Sequence, residues 1–246
     1  MTANEIKKIL RAQANPVIAE HSQRFFKTGK GEYGDDDKFL GIRVPVLRKL
    51  VRQCKATSLK QTLNLLKSAF HEERLFALLL LVDKFKHANA DEQKTIYEKY
   101  LDNSKFINNW DLVDSSASQI IGAYLQNKDK QPLYQLAKSN SLWQRRIAII
   151  ASFHLIRQNQ FDESLSIATL LLNDKEDLIH KAVGWMLREI GKRDLAAEKA
   201  FLDQHYQQIP RTMLRYAIEK FPEKQRKHYL GSPCSNSKAI KNKRYC

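Results

Sequence analysis

The chain has 246 residues, 43% of them hydrophobic, and its 42 Lys and Arg against 27 Asp and Glu give a formal net charge of +15. Its 8 glycines and 6 prolines are too few for a loop-rich β architecture and are typical of an all-helical one. The basic surplus favours a polyanionic partner over a basic surface without a specific partner, with nucleic acid first and an anionic membrane surface second.

The first segments of the chain repeat at a period of 3.6 residues, and they predict amphipathic helices over residues 3–14, 16–27, 45–55 and 59–70. Pro16, Pro45 and Pro210 each stand where a proline can begin a helix without losing a hydrogen bond. Residues 28–43 hold four of the eight glycines and are too polar to pack as a helix. We predict a loop there, either ordered and functional or flexible.

The stretch NNWDLVDSSASQ, residues 108–119, predicts the opening of an apolar helix. On a helical wheel Trp110 and Asp114 lie about 40° apart, at the margin of the apolar stripe that includes Val113, Ala117, Ile120 and Ile121. Asp111 points elsewhere and fits an acidic first-turn residue favoured by the helix dipole. A carboxylate beside core residues costs free energy unless something uses it, so Asp114 is a candidate functional residue. The alternative is a buried aspartate that accepts from a neighbouring loop.

A motif with a cation shortly before an alanine and an apolar run recurs along the chain. Arg146, Lys181 and Arg215 follow one another at steps of 35 and 34 residues, and Arg74 precedes Arg146 by 72, or two steps. This spacing predicts an α-solenoid of HEAT-like helix pairs, forming one all-α domain over residues 1–230. We expect it to curve around a positively charged concave face on which the three later cations contact phosphates. The alternative is that these cations bond local carbonyls or acids.

Trp185 follows Lys181 by four residues, so both lie on one face of their predicted helix. A tryptophan on an apolar stripe is more often a core residue, and the pattern by itself favours that interpretation.

The C-terminal segment is strongly basic, with ten Lys or Arg against two Glu from Arg211 to Cys246. Residues 231–246 lack apolar periodicity and predict a disordered basic tail.

Several classes of protein are excluded by what the sequence lacks. The N-terminus has no apolar signal core, and the longest apolar run, residues 75–82, is far shorter than the roughly 20 residues of a spanning helix. Cys54, Cys234 and Cys246 are odd in number and have no metal-ligand spacing, which predicts a reducing, cytoplasmic setting. With no P-loop, dinucleotide or zinc motif, we expect no cofactor, no metal and no membrane.

Five motifs, KFLGIRVPVLRKL, WDLVDS, WQRRIAI, HKAVGWMLRE and LRYAIEKF, occur in an order and spacing that resemble the DNA alkylation repair (AlkD-like) family of HEAT-repeat DNA glycosylases. The resemblance implies a monofunctional glycosylase that removes cationic N3- and N7-alkylpurines from double-stranded DNA without flipping the base, unlike most glycosylases. It implies catalytic roles for Trp110, Asp114 and Trp185. We expect DNA contacts from Phe25, Arg43, Arg146, Lys181 and Arg215.

One position departs from the family, because Phe25 stands where an active-site tyrosine is expected, which retains an aromatic wall without a hydroxyl. The other residue types suit the implied chemistry, since a carboxylate can stabilise a sugar that becomes positive and accept a proton from water. We expect a monomer that is nucleoid-associated when bound to DNA. The alternatives are a non-catalytic HEAT-repeat module for damaged or branched DNA and a protein–protein scaffold.

Overall fold

A computed structural model describes residues 1–35 and 37–231, and in these residues the protein is all-α, as predicted. Across the same residues the only β feature is one isolated bridge between Lys38 and Phe70. No helix in the described part of the chain is long and apolar enough to cross a membrane. The predicted tail lies outside the described residues except for Gly231. The chain forms two compact units, Met1–Tyr124 and a second one from Leu125 onward, while one domain over residues 1–230 stays a prediction.

The N-terminal unit is built around helix α5, of which twelve of the seventeen residues are buried. Helices α3 and α4 pack against α5, and α1 packs against α4. The apolar run that was too short to span a membrane is therefore the core helix of this unit. The helices are α1 (Ala3–Arg11), α2 (Pro16–Phe25), α3 (Val44–Gln53), α4 (Leu59–Leu66), α5 (His71–His87), α6 (Ala90–Asp102) and α7 (Trp110–Asp114).

The second unit is organised around helix α13, which packs against α10, α14 and α15. Gly184 allows the close contact with α15, because a Cβ at this position would lie 2.3 Å from the Met213 carbonyl oxygen. After α8 (Ala123–Leu125) the helices are α9 (Gln131–Ala137), α10 (Leu142–Ala151), α11 (Phe153–Arg157), α12 (Asp162–Leu170), α13 (Asp177–Gly191), α14 (Leu195–His205), α15 (Arg211–Ala217) and α16 (Glu223–Gly231).

The helix starts follow local rules that can be read from the sequence. Thr2 caps α1 in a capping box with Glu5, and the Asn15 side chain accepts from the first turn of α2, which begins at Pro16 as predicted. The four predicted N-terminal helices are present but end earlier than expected, as their bounds show. Periodicity cannot locate these ends, because the last apolar residues of each pattern continue into the following turn.

The predicted continuous helix after residue 108 is wrong. Helix α7 ends at Asp114, a turn follows, and residues Ser118–Gly122 form a π-helix. The predicted stripe is nevertheless buried, including Val113, Ala117 and Ile120. Wider π-type turns keep apolar residues on the core side while the hydrogen-bond register changes, and they are frequent at functional sites.

A turn with the same hydrogen bonds precedes α5, α10 and α13. In each, a short polar side chain accepts from the backbone N–H two residues later, at 2.9 to 3.1 Å. The carbonyl of that same residue accepts a side-chain N–H from six residues later. The acceptors are Ser68, Ser139 and Asp174, and the donors are Arg74, Arg145 and His180.

These turns support a repeat near 35 residues and correct its register. Ser68 and Ser139 are 71 residues apart, and Asp174 follows 35 residues later. Arg74 therefore corresponds to Arg145, so the predicted step of 72 residues to Arg146 is wrong by one. Apolar runs are too uniform to fix such a register, whereas hydrogen-bonded turns define it residue by residue.

The predicted loop over residues 28–43 has an ordered second half. The Glu72 carboxylate accepts from three consecutive backbone N–H groups, those of residues 40, 41 and 42, at 2.8, 2.7 and 3.2 Å. The Asn15 N–H also donates to the Leu40 carbonyl at 2.8 Å. Gly41 has a φ of +79°, and a Cβ there would lie 2.1 Å from the Asn15 carbonyl oxygen, so only glycine lets the loop pass this close to α2.

We expect Gly41→Ala to destabilise the protein more than Gly31→Ala, although both glycines have a φ of +79°. Left-handed backbone costs alanine about 1–2 kcal/mol at either position. At Gly31 no atom lies within 4 Å of the added Cβ, whereas at Gly41 overpacking adds about 1–3 kcal/mol. Urea unfolding of both variants measures the difference, and equal losses would contradict a close approach at Gly41.

Candidate functional site

The predicted pair Trp110 and Asp114 occupies the first and last positions of helix α7. The Asn109 side chain caps this helix and accepts from the Trp110 N–H at 2.8 Å. Both Trp110 and Asp114 are half-buried, and residues four apart on a helix lie on one face. An indole and a carboxylate are therefore presented together at the edge of the N-terminal unit.

Aromatic rings surround Trp110. The Phe26 ring stacks on the indole with centroids 5.2 Å apart, and the Phe25 ring meets its edge at 5.9 Å. Phe26 also stacks on the buried Phe39 ring at 5.0 Å. Phe25, which is 59% exposed, is the most exposed ring of this group.

A buried histidine lies behind these rings. His71 is 1% exposed, and its ring contacts Phe26 and Phe39 with centroids 4.9 and 4.6 Å away. Its Nδ1 lies 3.2 Å from Asp37 Oδ2, and its Nε2 lies 2.8 Å from Asp111 Oδ2. Burial opposes a charged ring, but the Asp111 and Asp37 carboxylates raise the pKa of His71 to about 9. The ring is therefore an imidazolium at neutral pH and donates from both nitrogens.

Asp37 joins this histidine to further groups. The Arg74 guanidinium pairs with Asp37 Oδ1, and the Asn109 amide donates to Oδ2 at 3.1 Å. Burial disfavours the ionised carboxylate, but hydrogen bonds and charges from His71 and Arg74 hold the pKa of Asp37 below its ordinary value. The ions Asp37, His71, Asp111 and Arg74 balance to zero charge. We name these four residues the ion cluster.

The ion cluster was not predicted from the sequence, apart from the use of Arg74 in the repeat. Asp111 lies in the first turn of α7, as the helix-dipole role predicts, and its carboxylate also accepts from His71. The available signal was HEER, residues 71–74, since four polar residues directly before a buried apolar run require partners. Their distant partners come from three segments, at Arg11, residues 37–42 and Asp111, and no local pattern connects those segments.

Asp114 lies where its charge acts on another buried group. Tyr100 is fully buried, and its hydroxyl pairs with Ser116 Oγ at 2.9 Å. Burial raises the pKa of Tyr100, and the Asp114 carboxylate adds to the rise. The negative charge of Asp114, which is itself half-buried, therefore affects the pKa of a group in the interior of the unit.

In the second unit, Trp185 is half-buried rather than a full core residue. Its indole N–H donates to Glu189 Oε1 at 3.2 Å, and the Phe153 ring lies 5.7 Å away. Lys192 and Arg193 in turn pair with Glu189 at 2.5 and 3.5 Å. This chain of contacts fixes the indole orientation.

The predicted phosphate-binding cations lie in different environments. Arg146 is 5% exposed and donates to the carbonyl of Leu178, 32 residues further along the chain, so it is buried rather than presented on the surface. Lys181 is partly exposed and pairs with Asp177 at 2.7 Å. Arg43, at the start of α3, and Arg215 are exposed. Among the described residues neither exposed arginine forms an ion pair.

A comparison with protein families decides which family this is. A family model described as DNA alkylation repair enzyme matches residues 6–221. The chain belongs to the DNA alkylation repair enzyme family. A solved structure, "Predicted DNA alkylation repair enzyme from Enterococcus faecalis", has a TM-score of 0.67 with this chain at 17% identity, covering 86% of this chain and 98% of that one. At that identity the likeness shows the fold. No curated protein matches the chain.

Membership of the DNA alkylation repair enzyme family confirms the resemblance found in the five motifs, all of which lie within the matched range. It gives the chain a role in the repair of alkylated DNA and makes DNA its partner. The basic surplus of the sequence is consistent with that partner.

The ion cluster makes stability depend on pH in a defined window. Because the pKa of His71 rises from 6.5 to about 9 on folding, its contribution is complete below pH 6.5 and is lost as the pH rises through 9. We expect the free energy of unfolding to fall by on the order of 3 kcal/mol more in the native protein than in His71→Gln between pH 6.5 and 9.5. Urea unfolding at several pH values measures this. His87→Gln, at an exposed ring, is the control and should behave as the native protein.

Proposed function

We propose that this protein is a monofunctional DNA glycosylase that hydrolyses the N-glycosidic bond of cationic N3- and N7-alkylpurines in double-stranded DNA. The observation that supports it best is the presentation of Trp110, Phe25 and Asp114 together at the edge of one unit, in a chain of net charge +15. A module that only bound DNA would need the cations but not the carboxylate beside exposed aromatic rings.

The chemistry needs little from the protein. A cationic alkylpurine leaves as a neutral base when the C1′–N bond breaks, so no acid has to protonate it. The sugar becomes positive as this bond lengthens, and the Asp114 carboxylate stabilises that charge. A water oxygen then forms the new bond to C1′ and gives its proton to Asp114. The products are an abasic site and the free base, and no cofactor takes part in these steps.

The aromatic rings contribute in a different way. The faces of Trp110 and Phe25 attract a developing positive charge through their quadrupoles and displace bulk water from the sugar. Phe25 lacks a hydroxyl, so it can contribute an apolar surface but no hydrogen bond. We assign Trp185 a stacking contact with the same substrate, and this assignment stays a prediction.

DNA is held through its phosphates in this proposal, by Arg43, Lys181 and Arg215. Exposed guanidinium groups without a carboxylate partner lose little when they leave water for a phosphate. The base stays stacked in this proposal, as the resemblance to the family implies. A monomer in the cytoplasm, bound to the nucleoid through these contacts, completes the proposal.

We expect the native protein to release 7-methylguanine from duplex DNA and Asp114→Asn to release it at least about 100-fold more slowly, since the uncharged amide cannot stabilise the sugar. Abasic-site formation under single-turnover conditions measures both. Asp102→Asn is the matched control, because that exposed carboxylate pairs only with Lys99 on the surface of α6.

Two outcomes would contradict the assignment. Full release by Asp114→Asn would remove the carboxylate from the mechanism. Tight DNA binding by the native protein with no release would favour the non-catalytic DNA-binding module.

Phosphate contacts should appear in the salt dependence of binding. Each phosphate neutralised contributes about −0.9 to the slope of log K against log salt concentration. We expect the double variant Arg43→Gln/Arg215→Gln to reduce the steepness by about 2 when binding to undamaged duplex DNA is measured. Lys94→Gln/Lys99→Gln removes the same charge at two surface ion pairs of α6 and should leave the slope unchanged. Equal slopes in all three proteins would contradict these contacts.

A further inference from the structure

The ion cluster has no part in the reaction proposed above, yet it contacts helix α7, which carries both Trp110 and Asp114. Helix α7 has only five residues, too few to hold its own geometry in water. Its position must come from contacts with other segments. Three of these contacts connect the helix to His71 or Asp37.

Three contacts make this connection. Asp111, between Trp110 and Asp114, accepts from His71 Nε2 at 2.8 Å. Asn109, the cap of α7, donates to Asp37 at 3.1 Å, and Asp37 also accepts from His71.

The third contact is aromatic. Phe26 lies between the His71 ring and the Trp110 indole, with centroids 4.9 and 5.2 Å away. The helix is therefore held at its cap, at its second residue and at the face of its indole.

The charge of the ring decides whether these contacts can exist together. A neutral imidazole has one N–H and can donate to only one of the two carboxylates. The charged groups facing His71 are Asp37 and Asp111, with Arg74 on the far side of Asp37. Asp37 would keep Arg74 and Asn109 if the ring lost its proton. Asp111 has no other described donor, and its Oδ1 is buried without a hydrogen-bond partner.

We propose that His71, as an imidazolium, is the positioning residue that holds Trp110 and Asp114 in their reactive arrangement. This inference rests on the proposed function for its catalytic consequence. His71 does not touch the substrate, and it acts through Asp111 and Phe26. Loss of its proton removes one of the two N–H donors and the positive charge between the two carboxylates, so the ring can no longer connect Asp37 to helix α7.

The first test does not depend on activity. The native protein is labelled with 5-fluorotryptophan, and its three fluorine signals are assigned with Trp110→Phe and Trp143→Phe. We expect the Trp110 signal to shift between pH 7 and 10 with a midpoint near 9, and the Trp143 signal to stay in place as the reference. His71→Gln should remove this titration. A Trp110 signal that is constant over this range in the native protein would overturn the proposal.

The second test measures the consequence for catalysis. We expect His71→Gln to slow the single-turnover release of 7-methylguanine by about 100-fold, because a misplacement of about 1 Å costs that much, while binding to undamaged duplex DNA changes less than 2-fold. Asp111→Asn should cause a similar loss, and the double variant should lose no more than either single variant, since both act through one contact. Additive losses, or a native rate in His71→Gln, would contradict the proposal.

The two tests separate the two hypotheses. If the native protein releases no base but its Trp110 signal titrates, the proposed function fails and the positioning by His71 stands. If His71→Gln does not fold, Asp111→Asn and the native titration still decide the matter. His87→Gln, at an exposed ring on the last turn of α5, should match the native protein in both measurements.

Discussion

The N-terminal unit depends on an imidazolium buried between two carboxylates. Isolated, any of these charges would be too costly to bury, and only their pairing makes the arrangement stable. With Arg74 on Asp37 the cluster is neutral, so its cost is desolvation alone. Removal of one member leaves a charge of the cluster without a partner, so each of the four groups is stabilised by the others.

The first turn of α5 also connects further segments of the N-terminal unit through polar contacts. Four consecutive residues fasten three other segments: His71 contacts helix α7, Glu73 contacts Arg11 at 2.9 Å, and both Glu72 and Arg74 contact the loop over residues 37–42. Residues 75–81, which follow this turn, are apolar and buried. The middle of α5 therefore forms the core of the unit, and its first turn forms the contacts with other segments. These contacts hold the loop over residues 37–42 and the five-residue helix α7 in position.

The sequence predicts helices well and connections poorly. Periodicity located α1 to α4, and the burial of Val113 and Ala117 was foreseen, because a helical face depends on neighbours within one or two turns. The break after Asp114 and the pairing of His71 with Asp37 depend on residues far apart in the chain. Arg146 illustrates the same limit: its cation was visible in the sequence, but the carbonyl that accepts from it lies 32 residues away. Long-range polar contacts have no periodic signature.

Asp111 and Asp114 show that contacts with distant residues can distinguish two carboxylates of the same helix. Both are aspartates on one helix of five residues, and two uncompensated carboxylates so close would repel each other. The imidazolium offsets the charge of Asp111 from inside the unit, while the charge of Asp114 remains at the edge that Trp110 shares. The sequence could separate the two only by their angle on a wheel. The structure separates them by location: Asp111 lies against the buried His71 ring, whereas Asp114 is half-buried at the last position of the helix.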